Sequence, residues 1–150
     1  MSVTTESIRW VGQEDPLGCI VACLAMLTGK PYSVVRTEIK FDGNAVSAYD
    51  EQEYLNANGY RFQTAIRWAG GEKFRWYGDG ECPFTGWPPP PWADLHLCSI
   101  MVNPTSIFGH RVIILKDGTV LDPLTPDPKR LTDYAGVYRA ESLERDPKQD

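Results

Sequence analysis

Cys19 stands at the head of the most apolar segment of the chain, where a cysteine is a candidate nucleophile. The amide N–H groups at a helix amino terminus favour a thiolate and lower the pKa of a cysteine placed there. Gln13 lies six residues earlier, ahead of a turn at Asp15-Pro16-Leu17-Gly18. Its side-chain amide is a candidate to point back toward Cys19 and, with the Cys19 backbone N–H, hold a developing oxyanion. Far downstream, Gly109-His110 opens an apolar strand and Asp122-Pro123 ends the strand after it, twelve residues on. Cysteine, histidine and aspartate in that order supply a nucleophile, a general base and a group that orients the base.

Each residue also has a plain structural reading. Cys19 would then be a buried thiol like Cys23, His110 a polar strand end and Asp122-Pro123 a turn starter. The chain order, the helix-start placement and Gln13 together favour chemistry. His96 is the rival base, but no comparable acidic residue ends the strand that follows it, and Asp117 and Asn103 are weaker orienting groups. A zinc site would have to combine Cys19 and Cys23, four apart, with Cys82 or the distant His96-x-Cys98, because paired Cys-x2-Cys knuckles are absent.

The elements that must position these groups are legible in the pattern. Ile20, Cys23, Leu24 and Leu27 recur at helical spacing within a segment apolar almost all round, so a helix there must be buried. Asp15-Pro16 and Gly18 mark its start, and Gly29 with Pro31 closes it. Ser33 is expected to cap a short helix over 34–39, and Ser47, with Asp50 three residues later, a helix over 48–57 ended by Gly59. The alternation of Tyr60, Phe62, Thr64 and Ile66 reads as a strand, as do the runs 97–102 and 111–115, with Val120-Leu121 completing a hairpin. The end from Asp127 is polar and charged, and its tail over about 140–150 is expected to fray.

The hairpin loop decides whether His110 and Asp122 can meet. His110 shares a strand face with Val112 and Ile114. A two-residue loop at Asp117-Gly118 would set Ile113 opposite Asp122 and turn the carboxylate to the wrong face. A three-residue loop, Lys116-Asp117-Gly118, sets Val112 opposite Asp122 and brings the carboxylate to the His110 face, with Gly118 in a left-handed conformation. Catalysis therefore predicts the three-residue loop, unless Asp122 lies just beyond regular pairing.

Composition limits the class of protein. At 150 residues the chain is of single-domain size, and five Trp, seven Tyr and five Phe beside ordinary charge exclude dominant disorder. The net charge of −5 with no basic stripe argues against nucleic-acid binding. No run approaches the ~18 apolar residues of a membrane span, and the polar start reads as no secretory signal, so a reducing, cytoplasmic setting with free thiols is expected. With 13 glycines and 12 prolines, about one residue in six, long loops are expected. Residues 68–92 concentrate them, holding four Trp, five Gly and five Pro, as one wall of a cleft, a docking surface or a satellite of the core.

The set Gln13-x5-Cys19 at the head of an apolar helix, Gly109-His110 leading a strand and Asp122-Pro123 ending the next resembles papain-like cysteine peptidases. Within them it looks most like the small bacterial and phage branch related to bacteriocin-processing, double-glycine leader peptidases, whose helix is similar to Ala22–Met26 followed by Thr28-Gly29-Lys30. The resemblance covers 10–40 and 96–125 and departs at Ile20, where a small residue is common and a larger one would narrow the cleft. It implies an α+β, papain-like domain in which a buried N-terminal helix carrying the cysteine packs on a small antiparallel sheet. It also implies Cys19 as nucleophile, His110 as base, Asp122 as its partner and Gln13 as oxyanion residue, with no cofactor and a peptide or protein substrate. The rival function is a non-catalytic binding or inhibitor module that uses the Trp-rich stretch as its partner surface.

Overall fold

The computed structural model describes residues 8–44, 46–67, 75–76, 80–81, 95–101, 110–130, 133–134 and 136–145. Three helices come first: α1 (Cys19–Thr28), α2 (Tyr32–Glu38) and α3 (Ala48–Ala57). They are followed by β1 (Tyr60–Arg67), β2 (Arg75–Trp76), β3 (Gly80–Glu81), β4 (Leu95–Met101), β5 (His110–Leu115), β6 (Val120–Asp122), β7 (Thr125–Lys129) and β8 (Gly136–Arg145). Six strands form an antiparallel sheet in the order β1-β8-β4-β5-β6-β7, while β2 and β3 pair separately. The class is α+β, as expected.

Helix α1 is buried along its whole length from Ile20 to Leu27, as its all-round apolar sequence requires. Gly29 ends it in the left-handed conformation at φ 74°, where a side chain would be strained. Ser47 Oγ accepts from the Asp50 N–H at 3.1 Å and caps α3 as expected. Helix α2 differs from expectation: Pro31, not Ser33, stands at its cap position, and Tyr32 is its first residue. Proline suits that boundary, with its fixed φ and no N–H to satisfy.

One face of the sheet meets the helices. Leu95, Leu97, Ile113 and Leu143 join α1, Tyr32, Val35 and Leu55 in one core. His96, Cys98, Ile100, Val112, Ile114 and Val120, which alternate with them, are also buried. Burial on both faces explains why β5 reads as a nearly unbroken apolar run. Ile20 belongs to this core at 3% exposure, so its bulk fills the interior and does not narrow a cleft.

The carboxyl end corrects the sequence reading. Most of β7 and all of β8 come from this polar, charged end, and β8 sits inside the sheet between β1 and β4. Residues 140–145, expected to fray, belong to β8, and 146–150 lie outside the described residues. On β7 the exposed Pro126 and Pro128 fit its place at the sheet edge, where a missing N–H costs no ladder bond. Apart from β2 and β3, the Trp-rich stretch 68–92 lies outside the described residues, as do Cys82 and Asn103.

Candidate active site

Cys19 is the first residue of α1, and the turn before it is locked in place. Gly18 N–H donates to Asp15 O at 3.0 Å, and the Tyr32 hydroxyl donates to Asp15 Oδ2 at 2.7 Å while accepting from Asp15 N–H at 3.2 Å. Arg36 adds an ion pair to Asp15 at 3.1 Å. A Cβ on Gly18 would lie 2.0 Å from the Tyr32 hydroxyl, so only glycine admits this approach. The first-turn amides of α1, including that of Cys19, have no intrahelical partner and no side-chain cap.

The β5–β6 hairpin has the register that lets His110 and Asp122 meet. Ile113 pairs with Leu121 and Ile114 with Val120, and Leu115 N–H donates to Thr119 O at 2.9 Å. Lys116, Asp117 and Gly118 therefore form a three-residue loop, with Gly118 at φ 90°. That register extends to Val112 opposite Asp122, just past the ladder pairs, and His110 Nε2 lies 2.6 Å from Asp122 Oδ1. With Nε2 so engaged, Nδ1 is the ring nitrogen left for Cys19, whose thiol pKa is lowered by the nearby His110. The Arg111 N–H also donates to Cys19 Sγ at 3.5 Å.

Asp122 is held from several directions. Oδ1 also accepts from the Leu124 N–H at 2.9 Å, and Oδ2 accepts from the Tyr134 hydroxyl at 2.6 Å. The Trp10 indole N–H donates to its carbonyl at 2.7 Å. Tyr134 and Trp10 were not singled out from the sequence. Both are distant in the chain from Asp122, and nothing in their local pattern signals the contact.

Gln13 reaches the site by its backbone, donating its N–H to Pro123 O at 3.1 Å. Its Nε2 donates to Asp15 O at 3.0 Å and to Pro16 O at 3.1 Å, both in the turn that leads to Cys19. The sequence reading had this amide ready for an oxyanion, whereas here its two protons are engaged by main-chain carbonyls. The Pro16 bond is exposed and is the one an incoming anion would compete for.

Burial works against charge throughout the site, and specific partners outweigh it. It pushes the Cys19 thiol up, but the His110 and Arg111 N–H bonds and the adjacent cationic charge bring it below the ordinary thiol value. Burial likewise opposes an imidazolium, yet Asp122 and Cys19 push His110 up to about 9. Asp122 stays below its usual range because His110, Tyr134 and the Leu124 N–H overcome its desolvation. Cys23, fully buried one turn along α1, is pushed far up and stays a thiol. The arrangement favours a thiolate–imidazolium pair at Cys19 and His110.

The rivals lie elsewhere. His96 pairs with Ile114 while Ile100 pairs with His110, which puts His96 about 13 Å along the sheet from the His110 position at ~3.3 Å per residue. Burial pushes its pKa down to about 3, so its imidazole stays neutral. Asp117 Oδ1 accepts from the Thr119 N–H at 2.9 Å inside the loop. Among the described residues no group of three His, Cys, Asp or Glu side chains could hold a metal ion.

No protein-family model and no curated protein matches this sequence. Among solved structures, the chain is similar to a double-glycine motif protease from an AMS/PCAT transporter, crystallised in complex with the leader peptide. The TM-score is 0.61 at 14% identity, over 97% of this chain and 99% of that one. An antiparallel sheet with a buried N-terminal helix, superposable over nearly its whole length on that protease, gives this chain the papain-like peptidase fold.

Proposed function

We propose that the protein is a thiol hydrolase that cleaves a peptide or isopeptide bond, with Cys19 as nucleophile, His110 as acid and base, Asp122 as the orienting carboxylate and Gln13 as an oxyanion donor. The observation that supports this reading is His110 Nε2 lying 2.6 Å from the Asp122 carboxylate while the N–H of the next residue, Arg111, lies on the Cys19 sulfur. The solved relative is complexed with a leader peptide, which supports a peptide as the substrate class.

The Cys19 thiolate attacks the carbonyl carbon, and the oxyanion forms against the Cys19 backbone N–H at the start of α1. Gln13 joins it by exchanging its Pro16 bond for the oxyanion. His110 Nδ1 then gives its proton to the departing amine, leaving an acyl thioester on Cys19. Water attacks the thioester with His110 as base, releasing the acid and restoring the pair. Asp122 on Nε2 keeps the ring oriented and supports its charge through both steps. These steps call on this chain's side chains and water alone.

The test is incubation with a mixture of unstructured peptides, read by mass spectrometry. Wild-type protein is expected to generate cleaved products, and Cys19→Ala to generate none while keeping its circular dichroism and melting temperature. Turnover that survives Cys19→Ala overturns the assignment. Peptides bound intact by both proteins would mark a binding module instead.

A further inference from the structure

Arg111 follows the general base in sequence, yet its side chain takes no part in the steps above. It points to the helix face of the sheet, opposite to His110. There its guanidinium meets the carboxylates of Glu51 on α3 and, at 3.0 Å, Glu141 on β8, and it donates to Ser99 Oγ on β4 at 2.9 Å. Its side chain and that of Glu51 are 6% exposed, and Glu141's is 11% exposed. The main chain of the same residue is gripped by α1. Cys23 donates its S–H to Arg111 O at 3.4 Å, and Arg111 N–H donates to Cys19 Sγ.

Three charges in a dry interior are an expensive way to gain stability, since apolar residues of similar volume often serve as well or better. The cluster does something apolar packing does not: it fixes one residue of β5 by directional bonds to three other elements. That residue carries the amide that touches the nucleophile. We propose that the Glu51–Arg111–Glu141 cluster is a positioning device that clamps the first peptide of β5, so that the Arg111 N–H stays on the Cys19 sulfur with His110 beside it. This rests on the reading of Cys19 as the nucleophile.

The titratable and charged groups facing the sulfur and the clamp are His110 and Arg111 of β5, Cys23 of α1, Glu51 of α3, Glu141 of β8 and, behind His110, Asp122 of β6. Electrostatics alone and positioning predict opposite signs when Glu51 loses its charge. Removing a nearby anion eases formation of the thiolate. Loosening the clamp draws the amide off the sulfur and makes the thiolate harder to form.

The test is a pH titration of the full 15N-labelled chain, following the Arg111 amide resonance and thiolate absorbance. In the wild type the amide is expected to shift with the ionisation of Cys19. In Glu51→Gln the midpoint rises, leaving about three- to tenfold less thiolate near pH 6. Ser99→Ala, which removes one bond to a neutral acceptor and keeps all three charges, moves the midpoint the same way by less and serves if Glu51→Gln fails to fold. An unchanged or lowered midpoint in a folded Glu51→Gln overturns the clamp. So does an unchanged midpoint in Ser99→Ala should that be the variant that folds. A chain that titrates as described but cleaves no peptide contradicts the hydrolase reading alone. One that cleaves peptide while its thiol ignores Glu51→Gln contradicts the clamp alone.

Discussion

Asp122 shows how much of the site depends on single hydrogen bonds. Its carboxylate accepts from Tyr134, from the Leu124 N–H and from His110, and the first two keep it charged and aimed at the imidazole. Tyr134→Phe removes one bond to a charged acceptor, an interaction worth about 1.5–3 kcal/mol. The expected outcome is a loss of about tenfold in kcat/KM for peptide hydrolysis with the fold kept. A wild-type rate in that variant would show that Tyr134 does not orient Asp122. Gln13→Ala is expected to lower kcat by on the order of 10²–10³ with little change in KM, as loss of an oxyanion donor does. Equal and small losses in both constants would confine Gln13 to bracing the Asp15–Gly18 turn. Cys19, His110 and Asp122 were legible because each stands at the end of an element that local pattern reveals. Tyr134, Trp10 and Arg111 were not, because their partners lie on other elements and only the folded chain brings them together.

At the scale of elements, the loop after β5 decides where the carboxylate goes. Deleting Thr119 while the three-residue loop is kept pairs Leu115 with Val120, sets Ile113 opposite Asp122 and turns Asp122 to the helix face. Such a protein is expected to be as inactive as Asp122→Ala in a peptide-cleavage assay. Full activity in it would mean that Asp122 reaches His110 without the register. The three-residue alternative could be written from sequence because Gly118 suits the left-handed position the loop needs. Strand β8 could not. Its position facing the helices at 141 is a glutamate, which reads as solvent-facing until Arg111 is seen to neutralise it. Leu143, two residues on, packs in the core, so β8 follows the usual alternation with a buried charge in an apolar place. Cutting one side of that cluster has a stability cost as well: Glu51→Ala leaves Arg111 with fewer partners in the interior and is expected to lower unfolding free energy by about 3–5 kcal/mol in denaturant melts.

For the molecule as a whole, α1 brings the thiol from the core and the sheet brings the imidazole and carboxylate. The buried helix and the strands after it were visible in the change from helical to alternating periodicity, while their packing as a helix on an antiparallel sheet followed from the papain-like resemblance. The order of strands was not, since β8 returns from the end of the chain to the middle of the sheet. For the proposed hydrolase the assembled charges set a working pH range. Below the lowered Cys19 pKa the nucleophile is a thiol, and above about 9 His110 loses the proton the leaving amine needs. Peptide hydrolysis is therefore expected to follow a bell, with an alkaline limb near pH 9 and an acid limb below the ordinary thiol range. The most direct test of the thiolate–imidazolium pair is the rate of iodoacetamide alkylation at Cys19 across pH, in wild type and in His110→Ala. The pair predicts a wild-type midpoint below the ordinary thiol value of about 8.5, and a variant midpoint higher by about one pH unit or more, with roughly tenfold less thiolate near neutrality. A wild-type midpoint at or above the ordinary value, or the same midpoint in both proteins, would contradict it.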